Sequence, residues 1–419
     1  MIEKSLLATS AIHSRVASHR DAMISFLRDL VAIPSHDSNI RAVAARVERE
    51  LRALGFSDIH YAPYGDIVAK IGDGARILLY DSHLDTVDAG DARAWKHPPY
   101  AAEIVDGILY GRGTCDEKGS TPPMIYGLAI ARELGLLDGF TAYYFGSIEE
   151  WCEGLSARIF VEEEKIRPDF VVIGEPTNLR VYRGHKGRCE IRVTAKGKSA
   201  HAATHWHGDN AIYKMQDLLA QIPALDARLP NDPFLGRGSV VATMIDARGG
   251  SNNVVPDRCS IILDRRLTFG ESADDALEQV RALVNGRDDF EIEIVKYDKP
   301  SYNGYRRVAD EIFPAWAFED AHPFVRAARE TSQALKLETG TGKWNFSTNG
   351  AYWAGVAKIP SVGFGPGDEN VAHIVDEWIR VDDVVRAAEW YALLPEIIRT
   401  RTPALLKGCG ASVNADKRL

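Results

Sequence analysis

Residues 76–87 read RILLYDSHLDTV. The apolar run Ile77, Leu78, Leu79 and Tyr80 has the composition of a buried strand, yet the stretch finishes on His83 and Asp85. In extended backbone, residues i and i+2 face the same way, so this spacing lets both side chains point into one cleft. Outward from here the chain alternates. Helical periodicity covers residues 21–33 (Met23, Ile24, Leu27, Leu30, Val31) and 38–54 (Val43, Val47, Leu51, Leu54), the second closed by Gly55. Strand-like runs occupy 67–71 and 76–80, KGSTPPMIYGLAIARELGLL reads as a helix entered through prolines, and FTAYYFGSI and DFVVIGEP read as strands. Alternating helices and apolar strands predict an α/β fold: a doubly wound, mainly parallel sheet with helices on both faces.

The texture changes near residue 184. RCEIRVTAKG alternates like a strand with one solvated face, NAIYKMQDLLAQI is an amphipathic helix, and SVVATMI and RCSIILDRRL are further strands. The helix SADDALEQVRALV and the strand FEIEIV complete an α+β unit, after which IPSVGFGPG and the helix VDDVVRAAEWYALLPEIIR restore the first pattern. The expected organisation is a catalytic domain from residues 1–183 and 302–419 with an inserted α+β lid over 184–301. The last dozen residues, GCGASVNADKRL, read as a loose tail.

Composition narrows the function. A length of 419 residues favours two domains, each able to bury a core. Net charge is −9 and no Lys/Arg cluster stands out, which argues against nucleic acid as a partner and for a small-molecule substrate. Cys115, Cys152, Cys189, Cys259 and Cys409 are scattered without C-x-x-C spacing. Neither a disulfide framework nor a cysteine-only zinc site is expected, and a reducing cytoplasm fits. MIEKSLLATSAIHSRVASHR lacks the apolar core of a signal peptide, and no run is long and apolar enough for a membrane span.

In doubly wound sheets, ligands bind at the carboxyl ends of the strands. Polar groups recur at such ends: His83 and Asp85, then Asp116 in GRGTCDEKGS, Glu149 and Glu150 after AYYFGSI, Glu175 after FVVIG, and His373 past SVGFGPGDENVA. Taken singly, a His-x-Asp is more often a capping or hydrogen-bonded histidine, and adjacent glutamates are more often a solvated face. Gathered in one cleft, Asp85, Asp116, Glu149, Glu150 and Glu175 would repel one another, and some would protonate unless cations compensated. Two divalent metals resolve this. Two histidines and three carboxylates suit zinc, with cobalt or manganese as substitutes, whereas an oxygen-only cluster would suit calcium or magnesium. A carboxylate shared by metals about 4 Å apart is the two-metal hydrolase pattern, in which a bridging water becomes nucleophilic.

SHLDTV, WKHPPYAAEIVDGILYGRGTCDEKGS, SIEEWCEG, GEPT, GKSAHAA, SNNVVPD and FGPGDENVAH follow one another in order, within a match that runs from about residue 20 to 400. Together they resemble the motif set of the metallopeptidase family that contains carboxypeptidase G, acetylornithine deacetylase, succinyl-diaminopimelate desuccinylase and the aminoacylases. The resemblance implies that His83 and Glu175 hold one zinc, Glu150 and His373 the other, and Asp116 bridges them. It makes Asp85 a group hydrogen-bonded to the His83 imidazole and Glu149 the general base. It also implies a cis peptide between Asp116 and Glu117, and a homodimer in which His201 reaches the partner's site to stabilise the oxyanion. Arg266 and Asn252 match positions that grip a substrate carboxylate, with Arg265 as the spare.

Structural alternatives stand beside the last roles: a turn residue for His201, a loop hydrogen-bonder for Asn252, a surface ion pair for Arg266. Where many relatives have proline and glycine after the small-domain histidine motif, this chain reads THWHGDNA, adding aromatic and imidazole character near the site. Glutamate at position 175 resembles the deacylases and desuccinylases, so deacylation of an N-acyl amino acid is expected, with a dipeptidase or carboxypeptidase as the alternative. A phosphoesterase would need basic groups or a phosphate-cradling loop, and neither is evident. A non-catalytic scaffold would have no use for Glu149 beside five candidate ligands.

Overall fold

The structure, a computed structural model, describes residues 2–36, 39–150 and 154–401. The segment read as a loose tail lies outside the described residues, as do Cys152 and Cys409. The stretch that ends on His83 forms the strand Arg76–His83 in a nine-stranded sheet. It runs parallel to both neighbours, Phe140–Ser147 and Phe170–Ile173, and the latter is parallel to Ser361–Gly363. The flanks are mixed: Ile67–Gly72 pairs antiparallel with Phe140–Ser147 and with Ser57–Tyr61 on one side, and on the other Val181–His185 pairs antiparallel with Ser361–Gly363 and parallel with Thr341–Trp344. Parallel pairing therefore rules the centre of the sheet, where it sets four strand ends along one edge.

Side-chain alternation divides the strand Arg76–His83 between two layers. Leu78 and Tyr80 enter one hydrophobic cluster with residues of the helices Ile2–Val31, Arg41–Ala53, Thr121–Glu133, Pro323–Ala334 and Val381–Arg401. Leu79 enters another on the opposite face, with Phe145, Phe160 and Trp353. The helix expected over 21–33 begins as early as Ile2, because Ile12 and Val16 extend the buried stripe of Met23, Leu27 and Leu30 onto Thr121–Glu133 and Val381–Arg401. Thr121–Glu133 is buried at every position from Thr121 to Ala131, as expected of a helix that is apolar all round and enclosed by other elements. Pro122 and Pro123 sit in its first turn, where the missing N–H groups have no intrahelical acceptor to lose. Gly127 marks its close approach to Val381–Arg401: a Cβ there would lie 2.6 Å from the Tyr391 Cβ and 3.1 Å from the Ala388 carbonyl oxygen.

A second, antiparallel sheet orders Ser239–Arg248, Arg258–Leu267, Gly187–Lys196 and Phe290–Ile294, and Ile312–Phe313 also pairs with Gly187–Lys196. One face is apolar: Cys189, Ile191, Val193, Ile261 and Leu263 form a cluster of their own with Met215 and Val280 of the helices Ala211–Leu219 and Ala273–Leu283. The opposite face of the two central strands carries Arg188, Glu190, Asp264 and Arg266. Among the described residues, no helix is long and apolar enough to cross a membrane.

Gly127→Ala tests the helix contact. Overpacking of this kind costs about 1–3 kcal/mol. The urea midpoint of the substituted protein is expected to fall; a midpoint equal to the parent's would mean that the two helices can separate freely.

Candidate active site

Four parallel strands deliver the polar groups to one edge of the large sheet. Arg76–His83 ends on His83; Phe140–Ser147 is followed by Glu149 and Glu150; Phe170–Ile173 by Glu175; and the segment after Ser361–Gly363 carries His373. Asp116 comes from the turns between Ile108–Tyr110 and Thr121–Glu133. Its two oxygens face different imidazoles: Oδ1 lies 2.8 Å from His83 Nε2, and Oδ2 lies 2.8 Å from His373 Nε2. Glu175 Oε1 is 3.7 Å from His83 Nε2, and His83, Asp116 and Glu175 offer ligand atoms within 4.8 Å of one another. The peptide between Asp116 and Glu117 is cis, as the resemblance implies.

Asp85 orients His83 differently from the expectation. His83 Nδ1 lies 2.9 Å from the main-chain oxygen of Asp85, while the Asp85 carboxylate stands 3.7 Å away. That carboxylate is engaged elsewhere, by the Glu150 N–H at 3.3 Å. An imidazole that donates from Nδ1 to this carbonyl could offer its Nε2 lone pair to a cation among the acids; without one, Nε2 donates to Asp116.

The electrostatics are those of a crowded, buried set of acids. Burial, reinforced by Glu117 and Asp116, pushes the Glu175 carboxyl well above the usual range. Burial raises Glu150 to about 7 and Asp85 to about 6. Burial would raise Asp116 too, but hydrogen bonds from His373 and His83 hold it below the usual range. His83 is pushed up, burial notwithstanding, by Glu117, Asp116 and Asp85. Asp85 Oδ1, Glu117 Oε1, Glu150 Oε1 and Glu175 Oε2 are buried without a hydrogen-bond partner. Unpaired buried carboxylates are expensive, and divalent cations among them would remove the expense. The mix of imidazole and carboxylate donors fits zinc, cobalt or manganese.

His83, Asp85, Asp116, Glu150, Glu175 and His373 line a cavity of about 390 Å³, to which the small sheet adds Arg188, Arg266 and Phe313. Arg266 thus faces the same cavity as the acidic cluster. His201 and Asn252 are exposed and absent from the cavity's described lining; His201 Nδ1 accepts from the Ala203 N–H at 3.0 Å, capping the short helix Ala202–His207. Arg265, the spare, is wholly buried and pairs with Glu271. Glu149, the expected general base, is buried and absent from the cavity's described lining, with Oε2 accepting from the Tyr64 hydroxyl at 3.0 Å and from the Tyr297 hydroxyl. Glu149 and His373 both have positive φ, +51° and +64°, a strained backbone that recurs at functional positions.

Sequence reasoning misses the residues that hold the cluster together. Glu377 Oε1 accepts the main-chain N–H groups of Cys115 at 2.8 Å and Asp116 at 3.0 Å, and its Oε2 pairs with Arg112 at 2.6 Å. Arg112 also reaches the His373 carbonyl at 3.4 Å. This ion pair, with side chains only 3% and 0% exposed, binds the Asp116 turn to the His373 loop. Arg112 lies within the GRG motif, but a partner 265 positions away has no sequence signal.

A family profile described as peptidase family M20/M25/M40 matches residues 79–396. The chain belongs to this family. It is therefore a hydrolase of amide or peptide bonds. It is 37% identical over 387 residues to a protein of Escherichia coli (strain K12) named YgeY, covering 92% of this chain and 96% of that one. It is 30% identical over 373 residues to an acetylornithine deacetylase of Vibrio cholerae, covering 84% and 90%. The Bacillus subtilis YXEP protein, described as a dinuclear metal-binding M20 peptidase, shares the fold with a TM-score of 0.66 and 16% identity, covering 94% and 99%.

Arg112→Met would leave Glu377 buried and uncompensated, a change that costs about 3–5 kcal/mol. Calorimetry is expected to show a clear fall in melting temperature, partly reversed by adding Glu377→Gln. An unchanged melting temperature would show that the pair does not hold the two segments.

Proposed function

We propose that the protein is a two-metal amidohydrolase that releases an amino acid from an N-acyl amino acid. The observation that carries this reading is Asp116, which directs one oxygen to each of two histidines within a nest of buried carboxylates. His83 and Glu175 would hold one ion and Glu150 and His373 the other, with Asp116 shared; zinc suits the donors, with cobalt or manganese as substitutes. Bound there, the ions would supply a nucleophilic water at neutral pH and polarise the amide carbonyl. Asp85 keeps His83 oriented through its main-chain oxygen. Glu149 takes the proton of the attacking water and delivers it to the leaving nitrogen, while the Tyr64 and Tyr297 hydroxyls fix its carboxylate. Arg266 grips the substrate's carboxylate from the cavity wall, and Asn252, exposed and outside the cavity's described lining, joins it when the small domain closes.

Residues 184–301 form a lid and dimerisation domain between catalytic segments 1–183 and 302–419, a division supported by the separate hydrophobic cluster of the small sheet. A second copy explains two features: His201 is exposed and outside its own chain's cavity, and the outermost strand of that sheet exposes Val241, Met244 and Ile245 beside Ile212 and Tyr213. We place His201 in the partner's site as an oxyanion donor. The buried free thiols of Cys115, Cys189 and Cys259 fit a cytoplasmic location. The acyl preference follows Glu175 and the deacetylase relative. The family's peptidase name favours a second reading, hydrolysis of a dipeptide or of a C-terminal residue by the same groups.

Turnover of N-acetyl, N-succinyl and N-carbamoyl amino acids against dipeptides, with zinc, cobalt or manganese added and with chelator as control, decides between these readings. Cleavage of none of them, or turnover indifferent to prolonged chelation, rejects the proposal. Glu149→Gln is expected to retain its metals by elemental analysis and to lose about 10²–10⁴ in kcat; loss of metal with turnover per ion preserved would exchange the roles of Glu149 and Glu150. Mixing inactive Glu149→Gln with inactive His201→Ala subunits should restore activity in mixed dimers. No recovery after proven subunit exchange would return His201 to its own chain.

A further inference from the structure

We propose that Arg188 determines specificity: with Arg266, it forms a two-point anchor for one carboxylate of the substrate. The inference rests on the reading above only in taking the cavity as the substrate's site. Arg188 on Gly187–Lys196 stands directly opposite Arg266 on Arg258–Leu267, so the two side chains leave the same face of the small sheet. Like charges in register repel. The repulsion is met two residues further on, where Glu190 stands opposite Asp264. Asp264 accepts from Arg266 Nε at 2.7 Å and Nη2 at 2.9 Å and lies 3.3 Å from Arg188 Nε, while Glu190 accepts from Arg188 Nη2. Two cations and two anions form a square without net charge.

Arg266 makes its hydrogen bonds through Nε and Nη2 and Arg188 through Nη2 alone; Arg188 Nε, though close to Asp264, is buried without a hydrogen-bond partner. Among the described residues, Nη1 of Arg188 and Nη1 of Arg266 have no protein partner. Both arginines line the cavity and neither acid does, so the uncommitted edge of each guanidinium belongs to the substrate side. Phe313 supports the Arg188 guanidinium from one face, with its ring centre 5.5 Å from Cζ. A carboxylate has one oxygen for each Nη1–H. Because the acids already balance the arginines, recognition depends on hydrogen-bond direction more than on net charge. A carboxamide offers one oxygen and turns an N–H donor toward the second guanidinium, so it is disfavoured. Lysine at position 188 would keep the charge and lose the fork.

Calorimetric titration of the metal-loaded protein with 4-phenylbutyrate and 4-phenylbutyramide measures the anchor, with ammonia assayed in the same cell to show that the C–N bond of the amide stays intact. The parent is expected to prefer the acid by about tenfold or more, the worth of one or two charge-assisted hydrogen bonds. Arg188→Met should remove most of that preference and leave affinity for the amide unchanged. Arg188→Lys keeps a cation beside Glu190, protects the fold, and should also lose preference for the acid. A parent that binds both ligands alike, variants that keep the full preference, or an equal loss of both affinities overturns the anchor. Failure to hydrolyse any N-acyl amino acid would overturn the proposed function and leave this comparison standing.

Discussion

Asp116 sits between two imidazoles in a pocket where burial raises the other carboxyls, and the arrangement of the whole edge follows from that crowding. Acids at this density do not come together unaided. They are carried to one place by parallel strands, whose carboxyl ends must coincide, and kept there by a protein frame that is itself ionic. Arg112 and Glu377 supply that frame: one carboxylate grips the Asp116 turn through two main-chain N–H groups, and the guanidinium opposite reaches the His373 loop. The cluster therefore depends on a buried ion pair that contributes no ligand atom.

The packing beneath the edge serves the same end. Thr121–Glu133 begins just after the Asp116 turn and is enclosed by the sheet and the helices Ile2–Val31 and Val381–Arg401. Lys118, in the turns just before this helix, donates from Nζ to the carbonyls of Leu30 at 3.0 Å and Ile33 at 2.7 Å. The long N-terminal helix is thereby tied at its carboxyl end to the turn that carries Asp116.

Much of this is legible in the sequence because it follows from period and position. The run before His83 reads as a buried strand, the acids after FTAYYFGSI and FVVIG sit where a doubly wound sheet places ligands, and the alternation in RCEIRVTAKG separates the apolar from the charged face of the small sheet. What stays hidden depends on distance in sequence. The Glu377 contacts, the tyrosines on Glu149 and the pairing of Arg188 with Arg266 join residues whose proximity only the folded backbone creates. The His83–Asp85 contact shows a finer limit: spacing places the two residues together but does not say which oxygen of Asp85 the imidazole meets. The early start of the first helix escapes for another reason, since its amino-terminal half gains its apolar partners from helices far along the chain.

The strand Ser239–Arg248 is the outermost of its sheet, and Val241, Met244 and Ile245 lie exposed along it. An unpaired strand edge recognises backbone and is nearly indifferent to which chain supplies it. Ten residues of such edge make the solution behaviour of the protein depend on what arrives first. An ordered partner strand would seal the edge, whereas an unfolded neighbour emerging during synthesis or heating would extend it without limit. Substitutions that place lysine or proline along this strand would therefore act on solubility, even where they leave the folded chain and its cavity untouched.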